Sequence, residues 1–186
     1  DNFLLMYVFW EITSLLSYLL VSYYSERASS RRAAQQALMV TALGGLTMLM
    51  GFILLGRQTG AWTFSDISAY ENFAQTPYVT VAIVLILAGA LTKSAIAPAH
   101  FWLPGAMAAP TPVSAYLHSA AMVKAGIYLI GRLAPSMYEV ATWHVVVISL
   151  GVFTMLLGGW MALKQRDLKL ILAYGTVSQL GFITSI

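Results

Sequence analysis

Long apolar stretches dominate the chain, and polar residues cluster between them. Crossing the hydrocarbon core of a bilayer takes about 20 apolar residues as an α-helix. The strands of a membrane β-barrel would be about half as long and would alternate in polarity. The pattern therefore predicts an all-α, polytopic bundle of about six transmembrane helices. The six stretches are residues 3–24, 33–55, 77 to about 102, 113–133, 143–163, and 168 to the end.

Composition supports a membrane environment. Hydrophobic residues make up 59% of the chain, charged residues only 9%, and the mean hydropathy is +0.76. A soluble domain carries roughly a quarter charged residues, so these charges are too few to cover a surface facing water. The chain opens on Asp1 rather than Met and stops inside an apolar run, so we expect a piece of a longer polypeptide. Its first stretch lacks the basic start and small-residue cleavage site of a signal peptide.

Two short basic loops predict the orientation. Residues 25–32 and residues 164–169 each carry three positive charges and one negative charge. The long link at residues 57–76 carries one positive and two negative charges. The two basic loops are separated by an even number of predicted spans, so they lie on the same side of the membrane. The positive-inside rule makes that side the cytoplasm of a bacterial cell, whose inner membrane would hold the chain.

Ionisable residues inside the predicted spans are the main functional signal. Glu11, Lys93 and Lys124 lie within apolar stretches, and the titratable His118 lies six residues before Lys124. Each intramembrane charge costs about 2.5–3.5 kcal/mol on insertion scales unless it is paired or hydrated. Retaining such residues therefore favours a working role.

Each of these residues also has a structural interpretation. Lys93 lies near the end of its span, and its long side chain could extend to the interface. Glu11 could be a neutral acid hydrogen-bonded within the bundle, Lys124 a packing residue, and His118 a satisfied core histidine. In the functional interpretation, an acid that moves relative to a buried lysine changes how tightly the lysine holds its proton. Lys93, His118 and Lys124, gated by Glu11, would then form a proton relay.

Prolines follow Lys93 closely. Pro98, Pro104, Pro110 and Pro112 lie within fifteen residues. Proline removes a backbone donor and clashes with the preceding turn, so the Lys93 helix is expected to break. Broken backbone at membrane depth is tolerated where it lines a cavity or is buried in protein, and transporters often place ion sites there. The alternative is a re-entrant loop or a cytoplasmic turn between two helices, which prolines normally mark.

Other chemistry finds no support in the sequence. There is no cysteine, which excludes disulfides, thiolate nucleophiles and cysteine metal sites. The metalloprotease, Walker and serine-elbow motifs are absent. We therefore expect a transporter rather than an enzyme, with no cofactor, no metal site and no nucleic-acid partner.

Three segments carry a family resemblance: "FWEITSLLSYLL" around Glu11, "TKSAIAPAHFWLPGAMAAPTPVSAYLHSAAMVKAG" from residue 92 to 126, and "RDLKLILAYGTVSQLGFI" near the end. They resemble the proton-translocating antiporter module that Mrp-type cation/proton antiporters share with the antiporter-like subunits of respiratory complex I. The stretch "QQALMVTALGGLTMLMGFILL" is most similar to the A subunit of the Mrp type. The resemblance covers almost the whole chain.

This resemblance implies a fold and a function. Residues 1–186 would be one domain, a fragment of a proton-translocating transmembrane domain built from inverted repeats. Glu11 and Lys93 would form the working pair, with the Lys93 helix broken, and His118 and Lys124 would continue the proton path. The activity would be exchange of a monovalent cation, Na⁺, against H⁺ within a hetero-oligomeric complex of membrane subunits.

Two alternatives to antiport remain. The first is a proton-pumping subunit of respiratory complex I, and the second is a membrane scaffold that transports nothing. The sequence also departs from the family, whose members often carry acidic residues at the positions of Gly105 and Ala109. The absence of these two carboxylates argues against a proton-entry or cation-binding role near the cytoplasmic end of the break. It does not affect the four intramembrane groups.

Overall fold

A computed structural model describes residues 1–70, 73, 76–117 and 122–186. Regular structure in these ranges is helical, apart from one isolated bridge between Asn2 and Thr63. The α-helices are α1 (Phe3–Val21), α2 (Ala28–Thr59), α3 (Phe64–Ser68), α4 (Val79–Lys93), α5 (Trp102–Gly105), α6 (Thr111–Ala115), α7 (Lys124–Met137), α8 (Ala141–Leu163) and α9 (Leu168–Ser185).

Local sequence explains where several helices begin and end. The Asn2 side chain accepts hydrogen bonds from the backbone N–H groups of Leu4 and Leu5, which caps α1. Asp167 caps α9 in the same way through the N–H of Lys169. Helix α2 ends at Gly60, whose φ of 73° lies in the left-handed region that glycine adopts readily.

The helices pack in pairs along the chain: α1 against α2, α2 against α4, α4 against α7, and α8 against α9. The α2–α4 contact is close because Gly89 has no side chain, and a Cβ there would overlap the backbone of Gly44. At one end, the Phe3 ring stacks on Phe52 with centroids 4.8 Å apart and meets Phe64 edge-on. This packing fixes α1 beside α2 and α3.

Helices α1, α2 and α8 are each long and apolar enough to cross a membrane, by length and composition, in the described part of the chain. Helix α4 is apolar but shorter, with 15 residues. Much of α1 presents large apolar side chains to the outside, such as Leu5 and Phe9, which are 55% and 60% exposed. Such a surface suits lipid or neighbouring membrane helices.

The predicted break after Lys93 is confirmed, and it starts before the prolines. Helix α4 ends at Lys93, and Ala95 has a φ of 52° in the left-handed region. A 3₁₀ turn over Ala99–Phe101, the short α5 and a second 3₁₀ turn over Ala106–Ala108 follow. The third predicted span is therefore an α-helix only as far as Lys93.

The fourth predicted span, residues 113–133, is also not one α-helix in the described residues. Helix α6 ends at Ala115, and α7 starts at Lys124, with Met122 and Val123 in a turn before it. The hydrophobic pattern predicts Lys124 in the middle of a span, whereas the structure places it at the start of a helix. Hydrophobicity alone does not reveal the turn at Met122 and Val123, because both residues are apolar.

Candidate functional site

Lys93 is completely buried, and its amine points at α1. Its side chain is 0% exposed. The Nζ atom donates to the Trp10 carbonyl at 2.5 Å, to Thr13 Oγ1 at 2.6 Å and to Ser14 Oγ at 2.9 Å. An ammonium group has three N–H donors, and these three acceptors satisfy all of them. The structural interpretation, in which Lys93 extends to the membrane interface, is therefore wrong.

One turn of α1 supplies the whole set of acceptors. The Thr13 and Ser14 hydroxyls donate to the same Trp10 carbonyl, at 2.7 Å and 3.2 Å. The Trp10 ring lies with its centroid 4.7 Å from the Lys93 Nζ, within the range of a cation–π interaction. We call Trp10, Thr13 and Ser14 the lysine cage. It holds an ammonium group without using a carboxylate.

Glu11 lies next to the cage but faces α2. A Cβ added to Gly45 would overlap the Glu11 Oε1 atom, so the carboxylate occupies the space that this glycine leaves open. That oxygen is buried and accepts no hydrogen bond from the described residues. In the described residues, the oppositely charged side chains that approach within 4 Å of each other are Arg132 and Asp1, not Lys93 and Glu11. Glu11 and Lys93 are thus neighbours without a salt bridge.

Lys124 shares a cavity, open at the surface, with two residues of the cage. Its side chain is exposed, and the cavity of about 340 Å³ is also lined by Met6, Phe9, Trp10, Thr13, Ala125 and Tyr128. The start of α7 is tied to the end of α4, because the Ser94 hydroxyl donates to the Val123 carbonyl at 2.7 Å. Two cage residues therefore separate Lys93 from the cavity that holds Lys124.

His118, the fourth predicted site residue, lies outside the described residues, and its place in the proton path stays a prediction. The structure brings Glu11, Lys93 and Lys124 to one region around α1. The cage itself was not predicted from the sequence. The available signal was the pair of hydroxyl residues, Thr13 and Ser14, that follow Glu11 closely in an otherwise apolar stretch.

Gly105 and Ala109, where family members often carry acidic residues, have different neighbours in the structure. The carbonyl of Ala109 accepts a hydrogen bond from the Lys169 Nζ at 3.1 Å, which ties α9 to the segment after the break. A Cβ on Gly105 would lie 3.8 Å from the side chains of Ala33 and Gln36 on α2. Neither position contacts the lysine cage in these interactions.

Comparison with known proteins gives the family. The family model described as "NADH:quinone oxidoreductase/Mrp antiporter, TM" matches residues 1–186. The chain belongs to this family. With its apolar helices, family membership makes it a multi-pass membrane protein, and the prediction of an all-helical antiporter-type bundle is confirmed.

Its curated relatives include subunits of Na⁺/H⁺ antiporters. The chain is 51% identical to the A subunit of the Na⁺/H⁺ antiporter of Alkalihalophilus pseudofirmus and 50% identical to that of Bacillus subtilis, over 100% of its own length. It spans 23% of the length of each of these relatives. The resemblance to the A subunit is confirmed at the level of sequence.

Solved structures give the same family and fold. A chain in the structure of the Mrp complex from Dietzia sp. DQ12-45-1b matches with a TM-score of 0.94 and 41% identity, over 100% of this chain and 20% of that one. A chain of the membrane-bound sulfane sulfur reductase, an archaeal respiratory membrane complex, matches with a TM-score of 0.87 and 27% identity. That match covers 96% of this chain and 37% of the other.

Proposed function

We propose that this chain forms a proton-transfer site in the A-type subunit of a cation/proton antiporter, which exchanges Na⁺ for H⁺. The observation that carries the proposal is the completely buried Lys93, whose amine has three acceptors on α1. A buried charge is costly and seldom stabilises a fold better than an apolar residue of similar volume. A lysine held in this way suits a site that must take up and release a proton.

Glu11 would control proton release from Lys93. Its buried Oε1 atom accepts no hydrogen bond from the described residues, so no such bond ties this oxygen to α2. Two opposite charges 4 Å apart attract each other by about 4 kcal/mol at an effective dielectric constant of 20. A carboxylate that approaches Lys93 and withdraws again would therefore change which partner keeps the proton. His118 and Lys124 would continue the path.

Antiport is favoured over the complex I alternative by the degree of similarity. The relatives named as A subunits of Na⁺/H⁺ antiporters are 50–51% identical to the chain, whereas the archaeal respiratory complex chain is 27% identical. The scaffold alternative does not account for a buried lysine with a dedicated cage. By the same similarity, the chain would work with other membrane subunits in a bacterial inner membrane. The positive charges of loops 25–32 and 164–169 would place both loops in the cytoplasm.

The test is cation/proton exchange driven by a pH gradient in everted vesicles that carry the full hetero-oligomeric complex. We expect the unmodified complex to exchange Na⁺ for H⁺. Glu11→Gln should lower the rate by about tenfold or more, because the amide keeps the shape and removes the charge that acts on Lys93. The amount of assembled complex is measured alongside.

A matched control is Glu26→Gln, since Glu26 is exposed in the loop between α1 and α2. It should leave exchange unchanged. An unmodified complex that exchanges no cation for protons would contradict the proposed activity. If instead Glu11→Gln exchanged at the full rate, the controlling role of Glu11 would be wrong.

A further inference from the structure

The three acceptors around the Lys93 amine differ in whether they carry a transferable proton and whether they line the Lys124 cavity. The Trp10 carbonyl has no proton of its own to pass on. The Ser14 hydroxyl has one, but Ser14 is 1% exposed and is not among the residues that line the Lys124 cavity. Thr13 carries a hydroxyl, is exposed, and lines that cavity. Of the three, only Thr13 combines contact with Lys93, a transferable proton and access to the cavity.

The cavity itself requires water or another polar partner. Lys124 shares it with apolar and aromatic side chains such as Met6, Phe9 and Tyr128. An ammonium group at membrane depth is retained where it is hydrated or paired. A volume of about 340 Å³ has room for several water molecules, which take about 30 Å³ each in the liquid. Water in this cavity would contact both Lys124 and Thr13, because both line it.

We infer that the Thr13 hydroxyl carries the proton between Lys93 and the Lys124 cavity. This inference rests on the proposed function and names a residue that the proton path needs. In the resting geometry, the Lys93 Nζ donates to Thr13 Oγ1 at 2.6 Å, and the Thr13 hydroxyl donates to the Trp10 carbonyl at 2.7 Å. Rotation about the Cβ–Oγ1 bond would turn the hydroxyl proton toward the cavity while Oγ1 keeps its contact with the Lys93 Nζ.

Proton transfer from Lys93 to Lys124 leaves the Thr13 hydroxyl unchanged at the end. One N–H bond of the Lys93 ammonium breaks as Thr13 Oγ1 takes up the proton. The original O–H bond of Thr13 breaks, and its proton passes to a cavity water and on to a neutral Lys124 amine. Lys93 ends as a neutral amine, Lys124 as an ammonium group, and Thr13 as the hydroxyl that it was before. Renewed rotation to the Trp10 carbonyl resets the site.

The experiment compares Thr13→Val, Thr13→Ser and Ser14→Ala in the full hetero-oligomeric complex, by exchange in everted vesicles. Thr13→Val keeps the shape and removes the hydroxyl, so exchange should fall by about tenfold. Thr13→Ser restores the hydroxyl and should exchange at nearly the unmodified rate. Ser14→Ala removes the other hydroxyl acceptor of Lys93, which does not line the cavity, so it should lower exchange by less than Thr13→Val does. The matched control is Thr176→Val on α9, whose hydroxyl donates to the Leu172 carbonyl of its own helix, and it should leave exchange unchanged.

A second measurement does not depend on transport. The chain contains no cysteine, so Thr13→Cys and Ser14→Cys each introduce a single thiol. A small water-soluble methanethiosulfonate reagent should modify the thiol in Thr13→Cys and spare that in Ser14→Cys, as read from the mass of the peptide that carries it. This result is informative even where Thr13→Val fails to assemble.

The outcomes separate this inference from the proposed function. Full exchange by an assembled Thr13→Val variant, or protection of the thiol in Thr13→Cys, would overturn the link through Thr13. If Lys93→Met lost exchange in the same vesicles, the proposed function would still stand. Exchange that survives Lys93→Met would instead remove the proposed function, and the link through Thr13 with it. An equal loss in Thr13→Val and Ser14→Ala would overturn the link as well, because both hydroxyls would then only position Lys93.

Discussion

Replacing Lys93 with methionine is expected to abolish cation/proton exchange while leaving the protein folded and assembled. Methionine has a similar length and suits the apolar surroundings of a fully buried position. The Thr13 and Ser14 hydroxyls still donate to the Trp10 carbonyl, so each of the three groups keeps a hydrogen-bond partner. We expect exchange in everted vesicles to fall by about a hundredfold or more, as for the loss of a proton-transfer group.

Thermal stability of the purified complex is the accompanying measurement, and we expect a shift of no more than a few degrees. The reason is that replacing a buried charge with a well-packed apolar residue is often neutral or stabilising. Lys164→Met is the control, since Lys164 is exposed after α8 and lies over the Trp160 ring at 5.0 Å. A Lys93→Met variant that fails to assemble would show that the lysine braces α4 against α1 and would leave its transport role without support.

The helices and the break were predictable from the sequence because both depend on local signals. Long apolar runs set α1, α2 and α8, and the prolines after Lys93 indicated that its helix could not continue. The cost of burying a charge in lipid was enough to single out Glu11, Lys93 and Lys124. The structure adds that the break begins at Ala95, where the backbone enters the left-handed region before the first proline.

The direction in which each buried group points could not be predicted in the same way. In a soluble helix, an apolar stripe marks the buried face. Helix α1 carries large apolar residues on every side, so exposed Phe9 and buried Trp10 look alike in the pattern. Nothing in that pattern shows that Glu11 turns toward Gly45 while Thr13 turns toward the Lys124 cavity. The lysine cage is a product of how α1 is rotated against α2 and α4.

The position of α4, which carries Lys93 at its end, depends on the contact between α4 and α7, and Gly126→Ala is expected to disrupt that contact. A Cβ at Gly126 would overlap the Ala90 carbonyl oxygen and the Ser94 hydroxyl, and would lie 2.9 Å from the Ala90 carbonyl carbon. The Ala90 backbone cannot move aside as a flexible side chain would, so the helices must separate, at a typical cost of about 1–3 kcal/mol. Lys93 lies between Ala90 and Ser94, so its Nζ would shift away from Thr13 and Ser14. We expect less assembled complex, a lower melting temperature and a large loss of exchange.

Gly131→Ala on the same helix is the matched control. A Cβ at Gly131 would meet nothing within 4 Å, and the residue is exposed in the chain. Alanine is favoured over glycine inside a helix by about 0.5–1 kcal/mol, so this variant should assemble and exchange at least as well as the unmodified protein. Equal behaviour of the two variants would contradict the close α4–α7 contact. A specific loss in Gly126→Ala would mean that a missing methyl group on α7 is what allows Lys93 to reach its acceptors on α1.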